Sequence, residues 1–374
     1  MAKKDFKVSI STISGGSVFN ILKVFRENKI DTGYVPRAAT SLAFSLFAEP
    51  FRLWEHLRFD HAVNKLEMKE PPVFILGHWR SGTTHLHNVM CEDPNMGYIT
   101  TYQGVFPELL ASGWLFKTFM KSVMPEKRAS DNVVLSADFP QEEEFAIGNM
   151  NPYGFYNYWF FPKKTKEYYE RFVEFKEASD ELISRWKNDY ERLAKKALIY
   201  TGRKRFISKN PPHTGRVRLL LEMFPDARFI HIYRNPVTVF ISTKKLVEST
   251  LPAVQFQDIS NDEMEENILW VYERMMKRYL KDRSLIPKKN LVEIRFEEFE
   301  KNTVPELERI YATLGLDGFA AAQPAMKKYL ESQKSYEKNR YKIFRPVVDR
   351  ITNRWKFAMD EWNYSLPENL EITG

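Results

Sequence analysis

Val73-Phe74-Ile75-Leu76-Gly77-His78-Trp79-Arg80-Ser81-Gly82-Thr83-Thr84 decides the fold class of this chain. The four apolar residues Val73 to Leu76 have the length and continuity of a strand buried on both faces of a parallel sheet. Pro71-Pro72 stops whatever comes before, because proline disfavours helix in the preceding residue and offers a ladder no N–H. Gly77 ends the apolar run, and Thr84 to Met90 reads as the start of a helix. Gly77 and Gly82 have the G-x-x-x-x-G spacing of a phosphate-binding loop. Glycines there let backbone N–H groups turn toward an anion while the next helix presents its positive end. Thr83 stands where a Walker lysine would follow the second glycine, so the loop's nearest cation is Arg80, inside it. With the hydroxyls of Ser81, Thr83 and Thr84, this is an anion site that does not need the magnesium of an NTP-splitting enzyme.

Downstream, the strand–turn–helix habit returns. Arg205 to Lys209 reads as a strand, Asn210-Pro211-Pro212 as a turn, and Val217, Leu220, Leu221 and Phe224 as the apolar stripe of a helix. Pro225-Asp226 turns into a strand from Arg228 to Tyr233, a helix follows Asn235-Pro236, and a late strand, Leu291 to Phe296, leads into a helix around Pro305 to Leu316. Strands alternating with helices predict an α/β fold: a P-loop-like, mostly parallel sheet flanked by helices, with ligands at the carboxyl ends of the strands. Arg234 sits at such an end. Ser242, eight residues on and so about two helical turns away, can aim at the same group, and a guanidinium there can grip a second phosphate bidentately.

Two regions depart from that habit. Residues 1–70 read as a helical lead-in to a domain spanning 71–374. About 101–200 reads as a helical and aromatic insertion, holding the run Tyr153 to Phe161 and then a helix with Leu182, Trp186, Tyr190, Leu193 and Ala197 on one side.

Composition narrows the classes. Apolar residues make up 43% of the 374 and charged residues 28%, which excludes a disordered or collagen-like chain. The single cysteine, Cys91, excludes an intramolecular disulfide framework and thiolate-paired zinc, and points to a reducing, cytoplasmic setting. No His/Cys cluster has metal-ligand spacing, so no metal is expected. A net charge of +7 suits anionic ligands or membrane surfaces and falls short of a nucleic-acid binder. The basic start has no apolar stretch of secretory-signal length. Ala38 to Phe51, interrupted by Glu49 and Pro50, is too short to span a bilayer, although with Trp54, Leu57, Arg52 and Arg58 it could lie on one; packing on the domain is the plainer expectation.

The two anion-site segments together resemble the PAPS-dependent sulfotransferase superfamily (PAPS, 3′-phosphoadenosine 5′-phosphosulfate), and in particular its branch common in bacteria. Arg80-Ser81-Gly82-Thr83-Thr84 is similar to that family's 5′-phosphosulfate loop, and Arg234 with Ser242 to its 3′-phosphate motif. Phe224 to His231 and Arg295-Phe296-Glu297-Glu298-Phe299 also resemble the bacterial branch. The likeness covers roughly residues 70–110 and 200–365. It implies sulfuryl transfer from PAPS, as co-substrate, to an acceptor hydroxyl or amine, without a metal. Lys209, at its strand's end, matches a cation of several members, and the basic segment with Lys338 and Arg340 matches a loop that closes over the nucleotide. For the base the resemblance leaves two leading candidates, Glu142 in Pro140-Gln141-Glu142-Glu143-Glu144 and His213, with Glu144 and His85 behind them. His213 follows Lys209 at four residues, out of register with the Lys-x-His of another branch. The aromatics Tyr153 to Phe161, with Phe106, Trp114, Phe116, Phe119 and Met120, fall where the family shapes its acceptor pocket. They suit a small, lipophilic alcohol such as a sterol or lipid better than a glycan. The competing classes are an NTP-dependent kinase, disfavoured by the absent lysine, and a non-catalytic module that holds adenosine bisphosphate. Oligomeric state is not written in the sequence.

Overall fold

A computed structural model describes residues 11–124, 135–333, 341–367 and 370–373. Five strands form one parallel sheet: β1 (Val73–Leu76), β2 (Met96–Gly97), β3 (Arg205–Lys209), β4 (Arg228–Tyr233) and β5 (Leu291–Arg295), in the order β2-β3-β1-β4-β5. β1 is the hub. The chain leaves it toward β2 on one side, whereas β4 and β5 lie on the other, so the strand order reverses at β1 and opens the crevice where ligands of such sheets bind. Ile75 is in register with both Lys209 and Ile230, which sets the ends of β3 and β4 on either side of the loop that follows β1.

Alternation along the strands divides the core. Phe74, Leu76, Phe206 and Phe229 face one apolar layer; Val73, Ile75, Ile207 and Ile230 face the other. With helices over both faces, every residue of β1 and β3 is buried, as the unbroken apolar run of β1 requires.

The strands expected from the sequence recur with small shifts. Phe296 ends the apolar run of β5 but begins the helix Phe296–Lys301, Thr83 rather than Thr84 opens the helix after the loop, and the Asn210-Pro211-Pro212 turn continues as a 3-10 helix, Pro211–Gly215. β2 is only two residues long and gives no pattern to read.

The larger departure is N-terminal. Glu49 and Pro50 do not interrupt anything: one 31-residue helix runs from Val35 to Lys65 with Pro50 inside it. A mid-helix proline costs about 3 kcal/mol. Here the cost is offset by the buried inner face and by Arg52, 3% exposed, which bonds Ser45 O and the carbonyls of Gly15 and Gly16. Against this helix, Tyr102, Phe106, Phe116, Met120 and Ala137 form a separate small core with Ala48. Among the described residues, no helix is long and apolar enough to cross a membrane.

Candidate active site

The loop after β1 is shaped by two positions that accept only glycine. Gly77 has φ 143° and Gly82 φ 101°; a Cβ on Gly77 would lie 2.4 Å from Ile232 O, and one on Gly82 2.1 Å from the Phe296 ring. Arg80 itself holds a left-handed φ of 68°, a conformation that costs a non-glycine residue roughly 1 kcal/mol or more and must be held in place by its surroundings. Thr214 Oγ1 receives the Gly77 N–H at 2.8 Å, and Ser81 Oγ donates to His78 O at 2.7 Å, closing the loop on itself. Ser81 and Thr83 are buried beneath it.

Across the crevice, the second predicted anion site meets the first. Arg80 Nε donates to Ser242 Oγ at 2.8 Å, and Arg234 Nη1 to Arg80 O at 3.3 Å, joining residues 154 apart in the chain. Arg234 lies 4.3 Å over the Phe296 ring, which fixes its guanidinium beside the loop. Lys338 and Arg340 lie outside the described residues.

On the β3 side stands a carboxylate–ammonium pair. Glu142, at the N-cap of the helix Glu143–Met150, accepts from Lys209 Nζ at 2.6 Å; their side chains are 13% and 3% exposed. Its other oxygen accepts the Tyr156 hydroxyl, which in turn accepts Trp79 Nε1–H at 2.7 Å. A chain of hydrogen bonds thus runs from the loop through Trp79 and Tyr156 to Glu142 and Lys209. Trp79 itself packs: it is 7% exposed and its N–H is committed to Tyr156.

The two following glutamates are both fully buried, against the usual fate of a glutamate run. Glu144 is gripped bidentately by Arg216, Nη1 to Oε2 at 2.6 Å and Nη2 to Oε1 at 2.8 Å, and also accepts from Phe155 N and Asn210 Nδ2. That pair fastens the acidic helix to the segment after β3 and so sets Glu142 over Lys209. Glu143 accepts from Ser208 Oγ at 3.1 Å, and burial pushes its carboxyl up to about 8. A carboxyl raised from about 4.5 to about 8 keeps its proton in the fold after the unfolded chain has lost it. Its contribution to stability is therefore complete below pH ~4.5 and gone above pH ~8. Glu143→Gln, which does not titrate, is expected to melt close to wild type at pH 5 and above it at pH 8.5, by about 2 °C per kcal/mol in a large domain. Parallel melting curves at both pH values check this.

His213 is set apart from this site. It is fully buried, with its ring packed on Phe74, Trp186 and Tyr190 and 3.3 Å from Arg216 Nη1. Burial first, and then the Arg216 charge, hold its pKa well below the usual imidazole value. His85 packs on Phe299, and burial lowers its pKa. Tyr156, Arg216 and Thr214 were missed on the sequence. Tyr156 sits in an aromatic run that reads equally well as core, and the partners of the other two lie 72 and 137 residues away.

Behind Trp79 lies an apolar cavity whose walls include Trp79, Phe155, Tyr158, Val247, Leu251 and Ile268. Phe155 and Tyr158, two of the aromatics expected around the acceptor, are among those walls, and neither Glu142 nor Lys209 is. Phe106, Phe116 and Met120 instead build the small core under the N-terminal helix, and Trp114 is 70% exposed.

Residues 71–321 match the model of the family described as "Sulfotransferase family". The chain belongs to that family. This sulfotransferase is 30% identical over 319 residues, 83% of its length and 80% of the relative's, to omega-hydroxy-beta-dihydromenaquinone-9 sulfotransferase Stf3 of Mycobacterium bovis, and equally to that of Mycobacterium tuberculosis. Its fold is that of sulfotransferase STF9 from Mycobacterium avium (TM-score 0.68, 18% identity, 94% of this chain and 98% of that one). It is also that of STF1 from Mycobacterium tuberculosis (TM-score 0.64, 16% identity, 90% of each).

Proposed function

We propose that this sulfotransferase moves the sulfuryl group from 3′-phosphoadenosine 5′-phosphosulfate to the hydroxyl of a small lipophilic alcohol, lipid- or sterol-like. The observation that carries the reading is the placement of the Glu142–Lys209 pair, tied through Tyr156 and Trp79 to a loop on whose far side Arg80, Arg234 and Ser242 converge. Arg80, the loop backbone at Gly82, and Ser81, Thr83 and Thr84 take the 5′-phosphosulfate end of the donor; Arg234 and Ser242 take the 3′-phosphate. Lys338 and Arg340 are proposed to complete that grip. Lys209 answers the negative charge that collects on the leaving phosphate, and Glu142 removes the acceptor's proton as its oxygen attacks sulfur in line. The burial of His213 among aromatic rings favours Glu142 over it as the base.

For the acceptor, the support is the apolar cavity against Trp79 and the relative whose named substrate is a hydroxylated menaquinone. In this reading, residues 71–374 are the catalytic domain, 1–70 a helical lead-in, and the insertion shapes the acceptor's surroundings. A cytoplasmic setting accords with Cys91 being a buried free thiol.

The test is transfer of radiolabelled sulfate from the donor to a sterol, a long-chain polyprenol and a soluble glycan in parallel. Label is expected in the organic phase. Label on the glycan alone would replace the acceptor class, and turnover of ATP without sulfate transfer would revive a kinase. In the same assay Arg234→Ala is expected to weaken binding of the donor by roughly 10- to 100-fold, the worth of a charged hydrogen bond, and to leave nucleotides lacking a 3′-phosphate almost unchanged.

A further inference from the structure

The long helix Val35–Lys65 turns one side inward, burying Ala38, Ser45, Ala48, Arg52 and Glu55. Its other side is unusually apolar for a surface. Leu46, Phe47, Leu53, Trp54 and Leu57 are 64%, 57%, 64%, 44% and 78% exposed. Positions 46, 53 and 57 fall on one stripe, and 47 and 54 fall beside it.

The neighbouring helix Gly113–Val123 adds Trp114 and Val123, 70% and 61% exposed. Ring contacts bind the two helices together: Phe44 to Phe119 at 5.4 Å, Phe47 to Phe116 at 6.3 Å and Phe51 to Phe116 at 5.2 Å. The exposed apolar side chains of both helices therefore belong to one packed module, and apolar exposure on this scale marks a site of association.

The charges on these elements identify its occupant. Their carboxylates are already answered: Glu49 by Arg52, Glu55 by Lys196, Asp60 by Arg192, and Asp138 by Lys117. The cations are in excess. Arg58 and Lys65 are exposed and pair with no carboxylate among the described residues, and Lys121, 55% exposed, reaches Asp138 only at 3.7 Å, where Lys117 already holds it. A second copy of the chain would bring the same cations to the interface with no spare carboxylate to meet them. An anionic lipid surface meets them directly, and leucine, phenylalanine and tryptophan rimmed by arginine and lysine make the composition of a face that lies in a bilayer interface.

The same face leads to the active site. Thr101 N–H to Phe139 O (2.8 Å), Tyr102 N–H to Ala137 O (2.9 Å) and Gln141 N–H to Ile99 O (2.8 Å) bind residues 137–141 to this module. Phe139 is 43% exposed and stands three residues before Glu142, so no more than about 11 Å of extended chain separates it from that carboxylate. We propose that this face docks on an anionic lipid bilayer, and that the acceptor alcohol passes from the bilayer past Phe139 to Glu142. The proposal rests on the lipid-alcohol reading above and adds where such an acceptor comes from.

Co-sedimentation with phosphatidylcholine vesicles, and with equimolar phosphatidylcholine and phosphatidylglycerol, tests the docking. Sulfation of a polyprenol held in detergent micelles or in those vesicles tests the delivery. Wild type is expected to bind both vesicles and to prefer the anionic ones. Leu57→Glu with Trp54→Glu is expected to bind at least tenfold more weakly, since each loses an apolar side chain to the interface. That variant should keep its detergent activity within about twofold of wild type while losing activity on vesicles. Its unchanged detergent activity also reports that it folds, and Arg58→Glu, a purely surface change, should lose only the anionic preference. A wild type that stays in solution yet sulfates the polyprenol in detergent overturns the docking and leaves the acceptor reading standing. One that binds vesicles but sulfates no lipid alcohol in either form overturns the delivery together with that reading. Sedimentation equilibrium showing a dimer that Leu57→Glu dissolves would assign the face to a second copy instead.

Discussion

Glu142→Gln is expected to lower turnover by about two to four orders of magnitude, the span usual for removing a general base, while leaving the affinity for adenosine 3′,5′-bisphosphate within about twofold. Glutamine keeps the size of the side chain and one acceptor oxygen, which can keep the Lys209 bond, while its amide N–H2 faces a Tyr156 hydroxyl that can turn to accept from it. What it cannot do is take a proton. Arg80, Arg234 and Ser242, proposed to bind the donor, lie across the loop and, among the described residues, form no hydrogen bond to Glu142, which is why binding and turnover should separate. Single-turnover rates with saturating donor, beside calorimetry with the bisphosphate nucleotide, measure the two effects independently. His213→Ala is the rival variant. It empties a space among Phe74, Trp186 and Tyr190 and is expected to cost stability, yet to turn over once folded. If Glu142→Gln retained full turnover while His213→Ala, shown to be folded, were inactive, the base would be His213.

The half of the candidate site proposed for the donor was legible in the sequence because its signals are dense and local. An apolar run, two glycines at fixed spacing and a helix start all fall within twelve residues, and Gly77 and Gly82 prove to be positions where a Cβ collides with backbone or ring. The strand-end rule then placed Arg234 on the same edge of the sheet, and the register of β1 with β4 brings the two arginines together.

The half proposed for the acceptor was far less legible. Glu142 and Lys209 are 67 residues apart across an insertion, and nothing local says that a glutamate run will be buried rather than solvated. Only its resemblance to a family segment singled it out. Burial there is dictated by partners far along the chain, Ser208 for Glu143 and Arg216 for Glu144. The aromatic run 153–161 likewise carries too little information. Phe155 and Tyr158 wall the cavity and Tyr156 holds the Glu142 carboxylate, yet all three look alike in sequence. Pro50 misled in the opposite direction. Its local meaning as a helix breaker is real, but Arg52 and the packed inner face of the helix Val35–Lys65 outweigh it.

The Glu144–Arg216 pair, with both side chains wholly inaccessible, carries the largest expected effect on stability. Arg216→Met keeps the length of the side chain but leaves Glu144 as a buried carboxylate with only two neutral donors, Phe155 N–H and Asn210 Nδ2–H. It also strips Phe172 O of the two guanidinium bonds it receives. Removing one partner of such a pair costs about 3–5 kcal/mol, a large share of the stability of most domains. The denaturant midpoint of Arg216→Met should fall accordingly. Its turnover should also fall at a temperature where it is still folded, because the helix that presents Glu142 to Lys209 is no longer fastened. Glu144→Gln added to Arg216→Met removes the uncompensated charge but retains an oxygen for Phe155 N–H, so the double variant is expected to be more stable than Arg216→Met alone. It remains below wild type because Phe172 O stays unpaired, at about 1–3 kcal/mol for a buried acceptor. Should the double variant be no more stable than Arg216→Met, the stranded carboxylate is not the source of the loss. Arg216 would then act through Phe172 and through the Trp186 ring that its guanidinium covers at 4.7 Å.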